Sequence, residues 1–148
     1  MFRVRKILYA TDFSSYSTQA YFHAVGLAES WKASLTIVSV FTPGSDGQTI
    51  ADRGFWQEQL ESVRPSNSRI PVSHVLLEGD PAEEIVAYAA DAKVDVIVMG
   101  THGRSGVERL LMGSVAERVL RDAHCSVLVV KLPRGVPVND SRTVALSV

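Results

Sequence analysis

Two short segments carry residues that could meet a charged small molecule. One reads Ala10-Thr11-Asp12-Phe13-Ser14 and follows a short apolar run. The other reads Gly100-Thr101-His102-Gly103-Arg104-Ser105-Gly106, continues from Val107 to Met112, and closes on Gly113-Ser114. Three glycines within seven residues suit a turn whose backbone takes positive φ or comes close to another group. Gly113-Ser114 then opens a helix. Ser114 can cap it, and the first N–H groups of a helix stand unpaired, open to an anion. Arg104 and Arg109 add positive charge to the loop, offset in part by Glu108. A phosphate chain on Gly103, Gly113 and Ser114 would draw about 0.3–1 kcal/mol from the helix dipole. The remainder would come from N–H and hydroxyl hydrogen bonds. Ordinary turn chemistry with a serine cap fits the same spacing equally well.

The other polar residues divide in the same way. Asp12 either meets a ligand or caps the following helix together with Ser14. His102 either reaches a phosphate or is solvated on its loop. His23, His74 and His124 lie apart, without zinc-like spacing. Cys125 precedes an apolar strand and reads as a buried small hydrophobe rather than a nucleophile. Trp31 and Trp56 read as packing residues. Arg104 is the charged side chain with the strongest claim to function, against a plain solvent-facing role.

The elements that must position these segments are legible as apolar runs. Five recur: Val4 to Ala10, Ser34 to Phe41, Pro71 to Leu77, Val94 to Met99 and Ser126 to Lys131. They are rich in Val and Ile and short enough to be strands. The last two are nearly continuous in apolar residues, as in strands covered on both faces. Helices are expected between them. Ser14 to Trp31 spaces Ala20, Ala24, Leu27, Ala28 and Trp31 at helical intervals. Asp80-Pro81 with Glu83 reads as a capping box around a proline at the first helical position. Val115, Val119, Leu120 and Ala123 form one stripe. Thr49 to Val63 has a mixed pattern with Gly54 inside it. Thr42 to Gln48 and Ser66 to Arg69 read as loops. Such alternation predicts an α/β fold with helices on both faces of a parallel sheet. In that architecture ligands bind outside the carboxyl ends of the strands, where both polar segments would lie.

Bulk properties narrow the field. A chain of 148 residues, 46% hydrophobic and 21% charged, fits one folded domain over 1–132 with a tail at 133–148. A net charge of −1 lends no support to bulk attraction for nucleic acid. No basic amphipathic segment suggests a membrane surface. The run Ile7 to Ala10 is too short for a signal-peptide core or a membrane span, so a cytoplasmic location is expected. One cysteine permits no intrachain disulfide.

Taken in order, these features resemble the universal stress protein family. Lys6 to Ser14 looks like the family's opening strand and loop. Gly100-x2-Gly103-x9-Gly113-Ser114 matches its ATP-binding pattern, G-x2-G-x9-G-(S/T), and Cys125 to Val130 looks like its last strand. The likeness covers residues 4 to 131. It implies a five-stranded parallel sheet of order 3-2-1-4-5, the adenine nucleotide alpha hydrolase-like arrangement, with the switch point between strands one and four. It implies bound ATP, with Mg or Mn on the phosphates. Asp12 and Val38 would meet the adenine and ribose end, with Met99 bordering the base. Gly100 and Gly103 would line the ribose and phosphates, and Gly113, Ser114 and Val115 would hold the phosphates. Ala10, Thr11 and Arg104 complete the expected site; Ala10 stands where many relatives have proline. A homodimer through the fifth strand and a further protein partner are also implied.

The expected role is regulatory: a stress-response module whose ATP occupancy alters its contacts. No general base is evident beside the phosphates, so slow hydrolysis at most is expected. A nucleotide-free interaction module is the alternative. A nucleotidyl transferase or pyrophosphatase would carry a His-x-x-His segment or a Ser-Gly-Gly loop after strand one, and neither is present. A phospho-receiver domain would end strand three on an acceptor Asp, but this run ends Leu76-Leu77-Glu78-Gly79.

Overall fold

The Val- and Ile-rich runs pair side by side as parallel strands. The computed structural model describes residues 2–44, 52–102 and 112–131. Its elements are β1 (Lys6–Ala10), α1 (Ser15–Trp31), β2 (Ser34–Phe41), α2 (Arg53–Ser62), β3 (Val72–Glu78), α3 (Pro81–Asp91), β4 (Val96–Gly100), α4 (Ser114–Asp122) and β5 (Ser126–Val130). The sheet has the expected order, β3-β2-β1-β4-β5, with every pairing parallel. Three strands begin later than their apolar runs, β3 by one residue and β1 and β4 by two. Val4 and Val94 are buried, but the Asp95 carboxylate takes the N–H groups of Arg5 and Lys6 at 2.8 and 2.9 Å just before the ladder starts. The tail 133–148 and the start of the run expected to form the second helix lie outside the described residues.

Alternating side chains divide the core into two layers, as the strand period of two requires. Ile7, Tyr9, Leu35, Ile37, Val96 and Val98 face α1 and α2. Leu8, Ala10, Val38, Ile97 and Met99 face α3 and α4, where Ala82, Ile85, Ala89, Ala116 and Val119 meet them. Leu8 and Ile97 are fully enclosed. Truncating either to Ala would cost about 2–5 kcal/mol, the usual range for a buried aliphatic.

The helix starts follow local chemistry. Asp80 caps α3 by accepting from the Glu83 N–H at 3.0 Å, with Pro81 in the first turn. The reciprocal half of the capping box does not form, because the Glu83 carboxylate faces Arg118 at 3.6 Å instead. Three further expectations are corrected. Trp31 is not enclosed: it is 42% exposed and lies edge-on to Phe2. Leu120 leaves the α4 stripe and is 48% exposed, because the helix docks through Ala116 and Val119. Cys125 is half-buried rather than enclosed. No described helix is long and apolar enough to cross a membrane.

Candidate functional site

The sheet opens at its carboxyl edge between β1 and β4. These strands pair only as far as Tyr9 with Val98. Beyond that, β1 keeps its ladder with β2 to Ala10–Val38, and β4 keeps its ladder with β5 to Gly100–Val130. The N–H of Thr11 then bonds the Val38 carbonyl at 2.9 Å, and the N–H of Thr101 bonds the Val130 carbonyl at 3.1 Å. Each chain end is drawn toward its outer neighbour. A crevice therefore begins where a topological switch point predicts one.

The lip after β1 is held by side chains. Phe13 N–H donates to Thr11 Oγ1 at 3.0 Å. Thr11 Oγ1 lies 2.9 Å from Ser17 Oγ, which donates to the Ser14 carbonyl at 2.8 Å. Because Ser17 spends its proton on that carbonyl, Thr11 is the donor between the two hydroxyls. Tyr9 adds a bond from its hydroxyl to the Ser17 carbonyl at 2.7 Å. Asp12 accepts from the Ser14 N–H at 3.0 Å. That bond is an aspartate turn; Ser14 occupies the N-cap of α1, and its own side chain makes no capping bond. Burial pushes the Tyr9 hydroxyl above its ordinary titration range, opposed by its hydrogen-bonding neighbours Thr11 and Ser17.

Phe13 is the residue that sequence reasoning missed. Its φ is +65°, a left-handed conformation that is costly for a bulky side chain. Its ring is buried and meets Trp56 edge-on, with centroids 5.0 Å apart. The one available signal was an aromatic residue in the middle of an otherwise polar loop.

Among the described residues, the lip after β4 is held by backbone. Gly113 N–H donates to the Thr101 carbonyl at 2.6 Å. A Cβ at 113 would sit 3.2 Å from that carbonyl and 3.4 Å from His102 Cα. Close approach therefore favours Gly113, since a side chain would have to push the Thr101 carbonyl back by a few tenths of an ångström; the φ of −71° at Gly113 needs no glycine. Gly113 also takes the N-cap position, so Ser114 opens the helix instead of capping it, and no side chain among the described residues caps α4. The first intrahelical bond runs from Glu117 N–H to the Gly113 carbonyl. The N–H groups of Ser114, Val115 and Ala116 thus have no partner within the helix. Arg118 ties α4 to the α3 cap through Asp80 at 3.0 Å.

The expected site residues fall into three groups. Ala10, Val38 and Met99 lie in the α3–α4 core layer with Val115 packed beside them, and Val38 is fully enclosed. Thr11, Asp12, Gly100, Gly113 and Ser114 stand at the carboxyl edge. Gly103 and Arg104 lie outside the described residues. His102 points a ring nitrogen at Thr101 Oγ1, 3.1 Å away.

The opposite edge of the sheet carries a cleft of about 240 Å³ lined by Ala89, Ala90, Lys93, Val94, His124 and Cys125. Burial pushes the Cys125 thiol up. It stays protonated at neutral pH and is a poor nucleophile.

The family model described as the universal stress protein family matches residues 3–131. Universal stress protein MJ0531 of Methanocaldococcus jannaschii is 39% identical over 143 residues, covering 88% of this chain and 84% of the relative. Among solved structures, universal stress protein UspA from Lactobacillus plantarum superposes with a TM-score of 0.71 at 25% identity, over 86% of this chain and 98% of that one. A universal stress protein in complex with cAMP superposes with a TM-score of 0.67 at 26% identity, over 86% and 97% of the two chains.

Proposed function

This chain belongs to the universal stress protein family, and on that footing we propose that it binds ATP across the crevice between β1 and β4, as a regulatory module. What carries the reading is the parting of β1 from β4 after Tyr9 and Val98. It sets Asp12 on one lip and the uncapped start of α4 on the other. The cAMP complex of a relative supports an adenine nucleotide as the ligand class.

The residues suit the parts of such a ligand. Ala10 and Met99, apolar and at the strand ends, suit the edge of a base, with Val38 buttressing them from below. Asp12 accepts hydrogen bonds and suits ribose hydroxyls or the amino group of adenine. The N–H groups of Ser114 and Val115 suit phosphate oxygens, aided by the Ser114 hydroxyl and the helix dipole. Gly100, Thr11, Gly103 and Arg104 complete the proposed set. Mg or Mn would ride on the phosphates and neutralise part of their charge.

Regulation would operate by linkage. ATP stabilises whichever arrangement of the crevice binds it better, and contacts that differ between arrangements follow occupancy. A homodimer through the edge strand β5, where Leu128 is 37% exposed, offers one such contact. A further protein partner and a cytoplasmic location belong to the same reading. Hydrolysis is slow at most.

The test is the thermal midpoint of nucleotide-stripped protein with and without millimolar Mg-ATP. At about 100 times its Kd, ATP adds about 2.7 kcal/mol, a rise of several degrees for a domain of this size. Gly113→Val and Ser114→Glu remove the rise. No rise in the unsubstituted protein refutes the ATP reading; a rise with cAMP alone moves the ligand to a monophosphate.

A further inference from the structure

A bulky residue in the left-handed region costs about 1–3 kcal/mol, and it persists only where its surroundings enforce it. Phe13 sits at φ +65° between Asp12 and Ser14, the two residues joined by the aspartate turn. A change of backbone at Phe13 must therefore move the Asp12 carboxylate. Two things hold Phe13. Its N–H is fixed to Thr11 Oγ1. Its ring is wedged on Trp56, which is buried and anchored from its own side by a bond from Nε1 to the buried Ser39 Oγ at 2.8 Å. Trp56 belongs to α2, which contributes no residue to the proposed nucleotide site.

We propose that Phe13 is a positioning residue for the nucleotide. Its ring, held edge-on by Trp56, keeps the loop after β1 in the strained form that presents Asp12, and so links α2 to occupancy of the crevice. The inference rests on the ATP reading above and adds to it a residue and a direction of coupling. Coupling is reciprocal: if the packed Phe13–Trp56 pair favours nucleotide, nucleotide stabilises the packed pair to the same extent.

The experiment combines calorimetry with indole emission. The chain has two tryptophans, and Trp31→Phe, a substitution at the end of α1 away from the crevice, leaves Trp56 as the sole indole. Mg-ATP is titrated into this protein and into Trp56→Ala, Trp56→Phe and Phe13→Leu variants, each confirmed folded by circular dichroism at the assay temperature. The expected result is an emission change at Trp56 that saturates with the calorimetric Kd. Trp56→Ala and Phe13→Leu weaken binding on the order of tenfold, the release of one strained residue, while Trp56→Phe restores it to within a few-fold. Phe13→Leu keeps apolar bulk and decides the matter should Trp56→Ala not fold. Unchanged Kd in the variants overturns the inference while leaving the ATP reading intact. Absence of Mg-ATP binding to the unsubstituted protein overturns both.

Discussion

The two lips of the crevice are built by opposite means. The lip after β1 is a chain of side-chain hydrogen bonds over a buried aromatic, from Phe13 N–H through Thr11 and Ser17 to the Ser14 carbonyl. Among the described residues, the lip after β4 rests on one short backbone bond, from Gly113 N–H to the Thr101 carbonyl, at a position without a side chain. The first lip can be tuned by many residues and fails when one is removed. The second has little to remove and fails when an atom is added. Shape recognition of a base suits the former; a row of N–H groups for phosphate, indifferent to side-chain identity, suits the latter.

Substitutions test that contrast in descending order of effect. Gly113→Val adds atoms where a Cβ already meets the Thr101 carbonyl at 3.2 Å. Overpacking there should cost about 1–3 kcal/mol in the unliganded protein and abolish the Mg-ATP thermal rise; a retained rise would break the assignment of that lip. Next comes one substitution made at two places. Thr11→Val strands the Phe13 N–H without its acceptor and should cost about 1–3 kcal/mol in denaturant unfolding. Among the described residues, Thr101→Val loses the side-chain contact to His102 and should cost about 0.5–1 kcal/mol. Equal costs would erase the difference between the lips. Asp80→Ala removes the α3 cap and the anchor of Arg118. A loss of about 1 kcal/mol is expected by the same measurement.

The smallest effect concerns the floor beneath the first lip. The Tyr21 hydroxyl is buried with no partner among the described residues, and its ring packs on Tyr9 at 5.5 Å. Tyr21→Phe should be neutral or stabilising by up to about 1 kcal/mol, since an unsatisfied polar group is removed. Burial pushes Tyr21 up to about 12. Its folded value lies above its unfolded value near 10, so its contribution is complete below pH ~10 and is lost as pH rises through about 12. Midpoints measured between pH 9 and 12 should therefore fall less steeply in Tyr21→Phe. An unchanged slope would show that Tyr21 ionises freely in the folded protein.

Much of the fold was legible because strands buried on both faces leave unbroken Val and Ile runs, and because Asp80-Pro81 marks a helix start by local chemistry. The two polar segments were also found, since glycines and a strand end are local signals. What stayed hidden depends on distant partners. Nothing near Phe13 announces that Trp56, more than forty residues on, will hold its ring. Nothing near Gly113 announces the Thr101 carbonyl, so Gly113 was read as part of a phosphate cradle and Ser114 as the cap. Trp31 and Leu120 have core composition, but their exposure is decided by which helix face reaches the sheet.

The Asp95 carboxylate, bound to the N–H groups of Arg5 and Lys6, closes a span of 90 residues together with the Asp95 N–H, which donates to the Lys6 carbonyl. The neighbouring β1–β4 ladder closes a similar span, and loops of that length make such pairing a slow kinetic event. The crevice has one wall on each of these strands, so it cannot exist until they meet. A ligand needing both walls would find no purchase on a half-assembled chain or on an early transition state. It would leave the folding rate nearly unchanged and lengthen the lifetime of the native state by slowing its unfolding.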